Sequence, residues 1–176
     1  MHKDIFIFLP EHEQKAKKIF DIFLENKLSN NYEGIICIGG CSGTGKSEIA
    51  WFLARQLYKL GVSSHIVNMD RLYKVPAKDR DRVRKATGVI GVNEIDWDRI
   101  DDELKLFNEN DTRVLIIEGL FAGYINGLRF LIKGDIKDTE EFRRLRGKED
   151  ELDSFRKEVV KKEYNDVMTT NYDYEI

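Results

Sequence analysis

Little in this chain is extreme, and each thing it lacks removes a class of protein. It holds two cysteines, Cys37 and Cys41, so no disulfide framework is indicated and a reduced intracellular compartment is the better fit. It has no apolar run of about 18 residues, no signal peptide and no low-complexity tract, which points to a soluble, cytoplasmic protein without a membrane partner. Charge of either sign is not in excess: 29 Lys and Arg stand against 32 Asp and Glu, a net −3, so attraction to nucleic acid through bulk charge is not expected. No internal repeat is visible. At 176 residues the chain is expected to form one domain, long enough to bury a sizeable core.

What the chain does contain is specific. Gly40-Cys41-Ser42-Gly43-Thr44-Gly45-Lys46-Ser47 matches the phosphate-binding loop pattern G-x-x-x-x-G-K-[ST] in full. Its glycines allow a turn tight enough for backbone N–H groups to point inward at a phosphate. Lys46 would place a compact positive charge across the β- and γ-phosphates of ATP, and the Ser47 hydroxyl suits Mg²⁺. The context is also right. Residues 33–39 read as a buried strand entering the loop. From Ser47 to Leu60, Ile49, Phe52, Leu53, Leu57 and Leu60 recur at helical spacing, and a helix N-terminus there favours an anion.

Elsewhere strands alternate with helices. Ile5-Phe6-Ile7-Phe8-Leu9 is either an edge strand or an apolar strap across the sheet. Residues 11–28 form an amphipathic helix with Ala16, Ile19, Phe20, Phe23 and Leu24 on one face. Residues 64–69 are a second strand, 74–88 a charged stretch, and 95–108 a second amphipathic helix. Residues 113–119 hold a strand and 128–132 a fourth; 139–147 and 150–168 read as helices, and 172–176 as the start of a last strand. This order predicts an α/β three-layer P-loop NTPase fold with a mostly parallel sheet, residues 1–176 forming one domain with a lid around 138–149.

Two acids fall just past the carboxyl ends of strands, where open α/β sheets bind ligands: Asp70 after the second strand, and Glu118 after Val114-Leu115-Ile116-Ile117. Glu118 is expected to hold the metal together with Ser47. The plain alternatives are a helix cap for Asp70 and a strand terminus for Glu118. Six basic residues between Lys74 and Lys85 suggest either an acceptor-side anion site or a solvated helix.

Four segments carry a family resemblance: Asn68-Met69-Asp70-Arg71-Leu72-Tyr73, Ile95-Asp96-Trp97-Asp98, Ile117-Glu118-Gly119-Leu120-Phe121-Ala122, and Asp138-Thr139 with Arg143-Arg144-Leu145-Arg146. In this order they resemble the motifs of the uridine kinases and their phosphoribulokinase relatives, over roughly two thirds of the chain. The resemblance implies a P-loop kinase using ATP and Mg²⁺. Asp70 would be the general base on an acceptor hydroxyl, Arg71 and Tyr73 would contact the acceptor, and Lys46 with a lid arginine such as Arg144 would steady the γ-phosphoryl charge. The alternatives are a nucleotide or sulfonucleotide kinase, or a regulatory P-loop NTPase acting on a partner protein.

The departures bear on the acceptor. Where the uridine kinases carry an acid that grips the nucleoside ribose, this chain reads Val89-Ile90-Gly91-Val92, and residues 101–113 leave no room for the hairpin that encloses the pyrimidine. The expected substrate is therefore a small hydroxyl-bearing metabolite other than uridine, with an anionic one suggested by the basic stretch.

Overall fold

The computed structural model of the protein describes residues 6–26, 33–134 and 154–176. In chain order these form α1 (Pro10–Asn26), β1 (Gly34–Gly40), α2 (Lys46–Lys59), β2 (Ser64–Asn68), α3 (Ala77–Thr87), α4 (Trp97–Glu109), β3 (Val114–Glu118), β4 (Leu128–Ile132), α5 (Ser154–Thr169) and β5 (Tyr174–Glu175). The proposed lid at 138–149, with Arg143, Arg144 and Arg146, lies outside the described residues, as does Ile5.

The five strands make one sheet in the order β2-β3-β1-β4-β5, every pair parallel. A parallel sheet covered on both faces has strands apolar on both sides, and β3 meets this fully, with all five residues buried. Alternation sorts the side chains. Ile36 and Ile38 of β1 face one way, with Val114, Ile116, Phe130 and Ile132, to pack on Ala16, Ile19 and Phe23 of α1 and Ile49, Leu53 and Leu57 of α2. Cys37, Leu115, Ile117 and Leu131 face the other way, toward Ile100 of α4, Phe121 and Val167 of α5. The chain leaves β1 on one side for β2 and later returns on the other for β4, so the carboxyl end of β1 is a topological switch point.

One expectation needs correcting. Residues 6–9 are not a strand and do not cross the sheet. Phe8 lies against α2 instead, 4.9 Å from the Trp51 ring and 5.4 Å from Phe52, because those aromatics leave an apolar strip on the helix's outer face. Within the charged stretch after Asp70 the helical alternative holds: α3 spans Ala77–Thr87 and is ended by Gly88 at φ 69°. Its arginines do not share one environment: Arg84 is 3% exposed whereas Arg82 is exposed.

Candidate phosphoryl-transfer site

The loop from Gly40 to Gly45 connects β1 to α2 at the switch point. Its turn is closed on Cys41, whose carbonyl oxygen accepts from Thr44 Oγ1 at 2.9 Å and from Lys46 Nζ at 2.7 Å. The Lys46 ammonium is therefore folded back onto its own loop. A bound phosphate would compete with that carbonyl for it. Gly45 takes φ 78° at the start of α2, and a Cβ there would collide with the imidazole of His12. At Gly40 a Cβ would fall 2.7 Å from the Ile132 carbonyl oxygen. Both glycines are needed for space as well as for torsion. The first N–H groups of α2 open toward the loop, as a helix N-terminus requires for an anion.

Behind the loop, His12 and Glu48 are almost wholly buried. His12 Nδ1 accepts from the Leu9 N–H at 3.3 Å, and Glu48 Oε1 accepts from the Ile7 N–H at 3.2 Å, so the N-terminal segment is laced to the base of the loop. Sequence reasoning passed over both residues. His12 was detectable, since it shares the buried face of Ala16, Ile19 and Phe23 at helical spacing.

One side chain that was not singled out, Asn68, links the Glu118 carboxylate to the backbone of Asp70. Ser47 Oγ donates to Glu118 Oε1 at 2.9 Å, and Asn68 Nδ2 donates to the same oxygen at 2.6 Å. The Asn68 Oδ1 in turn accepts from the Asp70 N–H at 2.7 Å. Asn68 and Glu118 are neighbours in the parallel register of β2 and β3, which is why the amide reaches. Asn68, and not Asp70, caps the short 3-10 turn Met69–Arg71. That leaves the Asp70 carboxylate exposed and, among the described residues, without a hydrogen bond or ion pair.

Glu118 is 3% exposed. Burial is the main cause that pushes its carboxyl up to about 7, helped by Asp70 and Glu48 and opposed by Lys46 and the Ser47 hydrogen bond. A buried carboxylate with a raised pKa beside a hydroxyl is an oxygen donor pair that gains from a hard cation, and it fits Mg²⁺, which takes one or two protein oxygens and fills the rest with water and phosphate. Among the described residues no cluster of three or more His, Cys, Asp or Glu forms a dedicated all-protein metal cage.

Of the two residues expected to contact an acceptor, Tyr73 is 6% exposed and Arg71 is exposed. The Tyr73 segment is fixed by pairing with the start of α4: Lys74 N–H donates to Glu94 O and Asp96 N–H to Leu72 O, at 2.9 and 2.8 Å. Asp96 caps α4 by accepting from the Arg99 N–H. The expected acceptor-side anion site is corrected at Arg84. Its guanidinium binds Glu94 bidentately at 2.7 and 2.8 Å and Glu163 of α5 at 2.6 Å, so its charge is already matched inside the protein. Gly91 takes φ 103°, a conformation that favours glycine, and a Cβ there would have to push aside the Asp166 carboxylate.

No family model and no curated protein matches the chain. Among solved structures it is similar to a provisionally named fructose transport system kinase from Silicibacter sp. TM1040, with a TM-score of 0.62 and 15% identity over 92% of this chain and 98% of that one. At that identity the likeness establishes the fold: a P-loop NTPase-like α/β fold shared with a kinase-like protein. Among the described residues no helix is long and apolar enough to cross a membrane.

Proposed function

We propose that this chain is a small-molecule kinase that transfers the γ-phosphoryl group of ATP to a hydroxyl of a metabolite other than uridine. The observation that supports the reading is the connected set Ser47–Glu118–Asn68–Asp70, which links the helix after the phosphate loop to the backbone of Asp70, whose carboxylate is exposed. The loop N–H groups and Lys46 hold the β- and γ-phosphates and oppose the charge that builds in transfer. Ser47 and Glu118 would hold Mg²⁺, which supplies further neutralisation of the phosphate oxygens. Asp70 takes the proton of the acceptor hydroxyl while that oxygen forms its bond to the γ-phosphorus. The bond from the γ-phosphorus to the β–γ bridging oxygen breaks, and ADP leaves. The phosphate loop follows β1 and Asp70 follows β2, which supports giving them separate roles.

The test is a screen of ADP release against nucleosides, sugars, sugar phosphates and vitamin precursors, run with the natural chain and Asp70→Asn. General-base removal is expected to cost roughly 10²–10⁴ in turnover while nucleotide affinity stays within about threefold. A loss of nucleotide affinity with turnover retained would move Asp70 into metal binding. ADP release that no acceptor stimulates would favour a regulatory NTPase.

A further inference from the structure

Asn68 ends β2 with its amide engaged on both sides. Nδ2 donates to Glu118 Oε1 at 2.6 Å, and Oδ1 accepts from the Asp70 N–H at 2.7 Å. The amide cannot be turned over, because a backbone N–H only donates and an ionised carboxylate only accepts. Ser47 Oγ donates to the same Oε1 at 2.9 Å, so two donors from two different elements hold that one oxygen. Glu118 Oε2 makes no hydrogen bond among the described residues. With its proton directed at Glu118, the Ser47 hydroxyl keeps its lone pairs for a cation.

The strand ends leave this amide little slack. Asn68 and Glu118 are partners in the parallel register of β2 and β3. Met69, the next residue, is fully buried, and a Cβ at Gly119 would fall 2.6 Å from Met69 Cβ. The turn after β2 is therefore seated on the residue after Glu118. Few side chains could replace the amide. Asp would accept from the Asp70 N–H but would offer Glu118 no proton and would repel it. Ser would cap the turn too, yet it ends one bond short of the Nδ2 position.

A partner that fixes a metal-binding carboxylate typically contributes roughly 10–100-fold to metal affinity. The carboxylate then need not be ordered when the metal arrives. We infer that Asn68 is a positioning residue for the metal acid: it pins Glu118 Oε1 beside Ser47 and so leaves Oε2 to the cation. This rests on the reading of Ser47 and Glu118 as the Mg²⁺ donors of a kinase. Asn68 acts through Glu118 and touches neither the nucleotide nor the acceptor.

The experiment measures, on the full chain, the affinity of the non-hydrolysable ATP analogue AMP-PNP with saturating Mg²⁺ and again with EDTA. Free AMP-PNP holds Mg²⁺ equally whichever protein is present, so the ratio of the two affinities reads the metal affinity inside the complex. In the natural protein Mg²⁺ is expected to tighten AMP-PNP binding. Asn68→Ser keeps a cap on the turn and loses the donor to Glu118. It should lower the ratio roughly 10–100-fold, with the EDTA affinity within about threefold of natural. Asn68→Thr, suited to a strand, is the second variant should Asn68→Ser unfold early. An unchanged ratio overturns the inference and leaves the kinase reading intact, whether both affinities hold or both fall together as a purely structural role requires. Failure of the natural protein to bind AMP-PNP, or to respond to Mg²⁺, overturns the kinase reading and the inference with it.

Discussion

Ser47 Oγ donates to Glu118 Oε1 across 2.9 Å, tying the first turn of the helix after the phosphate loop to the carboxyl end of β3. Neither residue can be displaced without the other noticing. Glu118→Gln keeps the acceptor oxygen and loses the charge, so the Mg²⁺ concentration for half-maximal activity is expected to rise tenfold or more on a Mg²⁺ titration of initial rates. An unchanged Mg²⁺ dependence would make Glu118 a structural residue only.

The same carboxyl gives a pH signature of stability. Burial holds its folded pKa near about 7, above the ordinary 4.5, so the folded protein binds the extra proton between those values. Stability from this group is full below about 4.5 and declines as pH rises toward 7. The penalty above 7 is on the order of 3 kcal/mol. Urea unfolding with EDTA at pH 5 and pH 8 should show Glu118→Gln gaining on the natural protein as pH rises. Parallel pH profiles of the two would contradict the assignment.

Arg84 is expected to matter for folding and not for phosphate recognition. Its burial disfavours its charge, and the bonds to Glu94 and Glu163 more than offset this. Arg84→Met leaves two carboxylates without their cation, at roughly 3–5 kcal/mol on urea unfolding. Adding Glu94→Gln and Glu163→Gln should recover much of that loss. Full stability in Arg84→Met alone would show that the network carries no weight.

How much of this was legible beforehand differs by element, for physical reasons. The phosphate loop was legible residue by residue, because a backbone that wraps a phosphate tolerates few alternatives at Gly40, Gly45, Lys46 and Ser47. The strands were legible because β1 and β3 are apolar on both faces, as a covered parallel sheet demands. Glu118 stood out as an acid ending such a run. Asn68 did not, since an amide at a strand end is ordinary; only the register that sets β2 beside β3 brings it to Glu118. The basic residues of α3 were indistinguishable by composition, and their roles separate only when α5 supplies Glu163 to one of them. The strap at Phe8 was ambiguous for the same reason: an apolar run does not say which surface it covers.

Uridine and cytidine are expected to be poor acceptors. Ile90 stands where a ribose-gripping acid would be needed. Polar groups of the nucleoside left without partners cost roughly 1–3 kcal/mol each, so kcat/KM for uridine should fall at least about a hundredfold below that for a preferred acceptor. Comparing the two in one coupled assay checks this. Efficient uridine phosphorylation would mean that other residues build the nucleoside pocket.

The central claim is that the loop closed by Lys46 delivers the γ-phosphoryl group to an organic hydroxyl. Its most direct test follows the label of [γ-³²P]ATP in the presence of a mixed metabolite pool, with the natural protein and Lys46→Ala compared at equal folded concentration. The account predicts a labelled organic phosphate from the natural protein and a loss on the order of 10² or more in Lys46→Ala. Label passing only to water, or transfer at the natural rate in Lys46→Ala, would contradict it.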